Sequence, residues 1–218
     1  MAIRAVDRSS TGDELTMKCI AFAKGTACDA SVLIARPEDY VVVDDIGDFT
    51  YYPSESAMLE DVEYVDEAAC VLDRAGNDCR LTLDEDRKLC LGPLFGPVEF
   101  SWLRQAWMNN RHRNAPAHRL QRLLPANRDA LVAELFETLF LEHAGRATGT
   151  PWAVDVVGEK SQPATLREVD SFLAELDHLE RATVRDPFGH LYRPVRHATH
   201  RFLAPAAGTI YYVEIPAG

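Results

Sequence analysis

Along the first hundred positions, apolar and polar residues alternate with a period near two, in short runs separated by Gly, Pro and Asp clusters. That is the pattern of strands with one face buried. Strands are predicted at residues 15–23, 30–35, 40–43, 49–52, 68–72, 79–83 and 89–91. Within this region Gly76-Asn77 suits a two-residue hairpin turn that needs positive φ. The predicted register puts Leu72 opposite Leu81, Cys70 opposite Leu83, Asp73 opposite Arg80, and Cys79 opposite Arg74, so Cys70 and Cys79 are not expected to bridge.

Two Gly-Pro pairs, Gly92-Pro93 and Gly96-Pro97, exclude a regular helix or a central strand at that point and mark a boundary. The chain is therefore read as a β-rich acidic region, 1–98, and a helical and α+β region, 99–218, either separate or packed into one compact unit. Past the boundary the period lengthens to that of a helix. A short helix is predicted at 100–109 and a strong one at 127–144, with Asn127 as N-cap and Gly145 as stop. Leu131, Val132, Leu135, Phe136, Leu139 and Phe140 form its apolar stripe, and Glu134, Glu137 and Glu142 lie away from the stripe's centre.

In the last third, residues 152–157 alternate as a strand, and Thr165-Leu-Arg-Glu168 is a capping box opening a helix with Leu166, Val169, Phe172, Leu173 and Leu176 inside. Asp186-Pro187-Phe188-Gly189 reads as a turn between two strands, and residues 209–215 as a closing strand. The fold class expected is α+β: a β-rich N-terminal half, central helices, and a small C-terminal α+β layer of strand, helix, hairpin and strand.

Composition changes this picture little. With 218 residues, 47% apolar and 26% charged, the chain can bury a core without staples. No apolar run is long enough for a bilayer span, and residues 1–7 are too short and polar for a signal sequence, so no membrane partner and a cytoplasmic location are expected. Five cysteines without Cys-x-x-Cys spacing argue for reduced thiols rather than a disulfide framework or zinc knuckle.

Charge changes it more. Residues 1–99 carry a net charge of −12, residues 129–218 carry −5, and residues 100–128 hold six arginines and no acid. In that basic stretch Trp102, Arg104, Trp107, Arg111 and Arg113 combine guanidinium forks with indole rings. That chemistry suits a phosphorylated metabolite or a nucleic acid. A second basic segment supplies Arg193, Arg196, His197, His200 and Arg201, and the two would make one positive groove if they met. The competing use of these arginines is internal pairing with the chain's 34 acids.

Against this stands an acidic run, Glu60, Asp61, Glu63, Asp66 and Glu67, suited to steering toward a basic protein partner. A non-enzymatic interaction or regulatory protein using that surface is the leading expectation, with an anionic ligand at the Arg/Trp stretch as the alternative. No metal or cofactor is expected. His197 and His200 fall on opposite faces of a strand and have no third ligand nearby. Glu159 and Lys160 are adjacent, so Asp155 does not complete a nuclease-type Asp…Glu-x-Lys set. Lys24-Gly25-Thr26 lacks the glycine that opens a phosphate loop, and no hydrolase, zinc-protease or dinucleotide signature occurs.

Overall fold

The alternation in the sequence resolves into two sheets with helices packed on them. The computed structural model describes residues 39–143, 148–176, 178–197 and 208–216, all within the unit Pro37–Gly218. The strands expected at 15–23 and 30–35, the Lys24-Gly25-Thr26 turn, and residues Gly145, His200 and Arg201 lie outside the described residues.

The first sheet holds β1 (Tyr40–Asp44), β2 (Phe49–Tyr52), β3 (Ala68–Leu72), β4 (Asn77–Leu83) and β5 (Leu89–Pro97), in the order β2-β1-β3-β4-β5. All its pairs are antiparallel. Helix α1 (Glu55–Asp61), which the period reading did not separate from the acidic run, is capped by Ser54 accepting from the Ala57 amide. Its Met58, with Val62, covers one face of the sheet over Tyr40, Val42, Val71, Cys79 and Leu81. Helices α2 (Phe100–Arg113) and α3 (Arg128–Glu142) cover the other face. Leu103, Trp107, Leu131, Leu135 and Phe136 pack there on Val41, Val43, Phe49, Tyr51 and Leu72.

The second sheet holds β6 (Leu120–Gln121), β7 (Ala153–Val156), β8 (Glu159–Ser161), β9 (Ala182–Arg185), β10 (Leu191–His197) and β11 (Thr209–Glu214). Its order is β6-β11-β10-β9-β7-β8, and only the β6–β11 pair is parallel. Helix α4 (Leu166–Ala174) begins at the expected capping box, where the Glu168 amide donates to Thr165 Oγ1 at 3.2 Å. Its Leu166, Val169 and Leu173 close the inner face over Val154, Val184, Tyr192 and Tyr212. Leu141 of α3 joins this second core, so α3 is a wall common to both sheets. The fold is α+β, with strands first and helices after, as the periods indicate.

Three local expectations are corrected. The β3–β4 hairpin pairs Leu72 with Asp78, not with Leu81. The Asp73 carboxylate captures the Asn77 amide at 2.8 Å and its side-chain amide at 3.0 Å, which lengthens the loop to three residues with Gly76 at φ +79°. A Cβ on Gly76 would stand 3.1 Å from Val132, so the turn also needs glycine for its approach to α3. The shift is odd, so Leu72 faces α2 and α3 while Cys79 and Leu81 face α1. Both faces of this sheet are buried, and matching apolar partners could not select the register. Arg74, expected opposite Cys79, instead forks onto Asp39, and Arg80 lies 4.0 Å over the Phe95 ring.

The Gly-Pro stretch is the second correction. It forms much of β5, and β5 is an edge strand, where a missing amide proton breaks no interior ladder. The third concerns Val157-Gly158, which turns between β7 and β8 with φ of +53° and +91°. The β-branched Val157 sits in the left-handed region there, a strained site that the strand reading of 152–157 passed over.

Candidate functional site

Glu99 caps α2 by accepting from the Ser101 and Trp102 amides at 3.0 and 2.6 Å, and the Ser101 hydroxyl, which also donates to it at 2.6 Å, together with those amides holds its carboxyl below the usual range. The helix runs to Arg113, four residues beyond the expected end. Successive residues turn by about 100°. Arg104, Met108 and His112 therefore follow one another up a single face, Arg111 lies beside them, and Trp107 turns inward to be 1% exposed. Trp102 points about 160° away from Arg104 and is 43% exposed.

Beyond α2 the chain is pinned beneath the helix by a buried polar chain. His118 Nδ1 lies 2.9 Å from Glu142 and Nε2 lies 3.0 Å from the Asn110 amide, whose oxygen accepts from Asn114. The Leu120 amide donates to the other Glu142 oxygen at 2.8 Å. Both imidazole nitrogens are used, so this His–carboxylate pair has no open position for a substrate proton.

Two residues on, Arg122 is sealed inside. Its Nε donates to Tyr192 Oη at 2.7 Å, Nη1 to Glu137 at 2.8 Å and Nη2 to Asp186 at 2.5 Å. Asp186, from the Asp-Pro-Phe-Gly turn, uses its second oxygen to accept from the Phe188 and His190 amides. Burial opposes the Arg122 charge, but Tyr192 and Asp186 overcome it and hold the guanidinium above its ordinary pKa. Glu134 lacks such help. It is 7% exposed, Oε1 has no hydrogen-bond partner, and burial raises its carboxyl to about 7 despite Arg122 and Arg111. Glu134, Glu137 and Glu142 were expected away from the apolar stripe; they face protein, where the basic stretch meets them.

Four of the six arginines of 100–128 are thus committed to carboxylates: Arg113 to Asp48, Arg119 to Asp170, Arg122 to Glu137 and Asp186, and Arg128 to Asp129. Arg104 is exposed and Arg111 half-buried, and among the described residues neither is in an ion pair. Arg111 donates to neutral acceptors, the Arg122 carbonyl at 3.2 Å and Gln121 Oε1 at 2.9 Å, and lies 6.0 Å from the Trp107 ring centre. It borders an open groove of about 620 Å³ lined also by Met108, His112, Gln121, Leu123 and Tyr211.

Tyr211 joins the two basic segments. It lines the groove and sits opposite Val195 in the β10–β11 ladder, between Arg193 and His197 on the outward face. The His197 ring meets the Tyr211 ring edge-on at 6.1 Å. Comparison with family models, curated proteins and solved structures finds no match.

Arg111 and His112 line the groove with Tyr211, whose ring His197 meets; Arg193 and His197 are exposed on the adjoining strand β10, and Arg104 is exposed on the same face of α2 as Met108. Arg196 does not join them. It points inward and donates to the Leu173 and Leu176 carbonyls at the end of α4, where its charge also suits the helix dipole. Asp155 accepts from the Gly158 amide at 2.9 Å and stabilises the turn beside it. The acidic run is exposed throughout, and among the described residues none of Glu60, Asp61, Glu63, Asp66 or Glu67 is in an ion pair. Among the described residues no cluster of three His, Cys, Asp or Glu could hold a metal, and no helix is long and apolar enough to cross a membrane.

Proposed function

We propose that the protein binds a phosphate-bearing anionic ligand in the groove between α2 and β11. The convergence of the two basic segments on Tyr211 carries the reading. In a chain of net charge −11, Arg111 at the groove and the exposed Arg104 and Arg193, none of them in an ion pair among the described residues, are more than solvating charge, because the remaining cations of 100–128 are consumed by carboxylates. Arg111 is desolvated and held in a fixed orientation, which lowers the ordering cost of gripping a phosphate oxygen.

Titration with inorganic polyphosphate tests this. Because Arg104 and Arg193 are exposed, R104A/R193A should fold as the parent does, bind about tenfold more weakly, and show a shallower dependence on salt. Parent protein that does not bind, or a double variant that binds equally well, removes the reading.

A second surface favours a different partner. The acids at 60–67, in no ion pair among the described residues, flank Tyr64 and Val65, which are 61% and 37% exposed, a combination suited to a basic protein. Neutralising Glu60, Asp61, Glu63, Asp66 and Glu67 together should abolish cross-linking to a protein partner in extract while leaving polyphosphate binding intact. Undiminished cross-linking counts against it.

A further inference from the structure

The outward face of the second sheet continues the groove. Register places on it, strand by strand, Gln121 of β6, Tyr211 and Val213 of β11, Arg193, Val195 and His197 of β10, Thr183 and Arg185 of β9, Asp155 of β7 and Lys160 of β8. No described helix covers it: α4 lies on the inner face, and Lys160, Arg185, Arg193 and His197 are all exposed, as are Val195 at 46% and Val213 at 42%. Its one carboxylate, Asp155, is engaged with the Gly158 amide. An acidic molecule thus presents one sheet face on which Lys160, Arg185 and Arg193 outnumber the acids.

Neighbouring strands lie about 4.8 Å apart, so the face is about 24 Å wide from β6 to β8, and Arg193, Arg185 and Lys160 extend over about 14 Å of it, beyond the groove. A single phosphorylated metabolite would engage the groove and leave Arg185 and Lys160 unused. We infer that the ligand is a single-stranded nucleic acid whose backbone crosses the strands from Arg111 and Arg193 toward Arg185 and Lys160, with a base stacked on Tyr211. Every base has a π-face, and an aromatic platform beside a cationic track is what strand binding without a fixed sequence requires. The His197 ring holds Tyr211 edge-on, and Met108, Leu123 and Val213 provide apolar surface for unstacked bases. A duplex fits less well. Its major groove admits a helix or a two-stranded ribbon, and a six-stranded sheet is too broad to enter it.

This inference rests on the anionic-ligand reading, and one set of titrations separates the two. Fluorescence anisotropy with labelled 12-nucleotide single strands of DNA and of RNA, with a 12-base-pair duplex, and with polyphosphate as competitor is the measurement. The expected result is binding at least tenfold tighter to single strands than to duplex. The log–log salt slope should lie near −2 to −3, since each of three or four phosphates contributes about 0.7. K160Q/R185Q, two exposed changes on the far strands, should weaken strand binding about tenfold while sparing pyrophosphate. Y211L should weaken the strand complex with polyphosphate affinity unchanged, and Y211F should retain it. Equal affinity for duplex, or no effect of K160Q/R185Q and Y211L, overturns the strand inference and leaves the anion reading standing. Binding to neither polymer overturns both.

Discussion

Replacing Arg122 by methionine lowers the unfolding free energy by about 3–5 kcal/mol, the usual loss when one partner of a buried pair is removed. The Asp186 side chain is 0% exposed and would keep its two amide donors but lose the guanidinium and part of the Tyr192 network. R122K should recover little, because one ammonium cannot reach Tyr192, Glu137 and Asp186 together. R122M/D186N should lose less than the two single changes combined, since each change alone strands the other's charge. Urea denaturation at pH 7 measures all three, and a loss below about 1 kcal/mol in R122M would show that the network is not a buried ion cluster.

Glu134→Gln should act in the opposite direction, by an amount that grows as pH rises from about 4.5 to 7. With its folded pKa raised from 4.5 to about 7, the native protein holds this proton more tightly than the unfolded chain does. Stability is therefore lost as pH rises from about 4.5 to 7, and the full penalty of about 3 kcal/mol stands above pH 7. Glutamine cannot ionise and escapes it. The variant should match the parent near pH 4 and exceed it by about 2–3 kcal/mol at pH 8, with other titrations cancelling in the difference. A difference that does not change with pH would show that Glu134 is not a suppressed acid.

What could be read from the chain follows the range of the interactions involved. Strands β2 and β3, the Asn127 cap and the Thr165–Glu168 box were legible because neighbours within four residues decide them. The register of β3–β4 was not, because a sheet buried on both faces gives no polar side to exclude. The basic stretch was visible as composition. Its division was hidden, since Arg113 finds Asp48 across 65 residues and Arg122 finds Asp186 across 64. Tyr211 carried no local signal at all. Its importance comes from β11 lying between β6 and β10, a placement made by pairing and not by spacing.

That placement bears on when the proposed groove is completed. Strand β11 is the interior member that joins β6 to the rest of its sheet, and it follows the sheet's other strands in the chain. Until residue 214 has left the ribosome, β6 and β10 have no strand between them, and the Arg111 and Arg193 segments have nothing to meet across. The acidic first sheet and its helices can form earlier, so for part of its synthesis the chain is a net-negative nascent body. A nucleic-acid ligand would be repelled at that stage, and the ribosome's own RNA with it. The groove closes only when that strand joins β6 to β10.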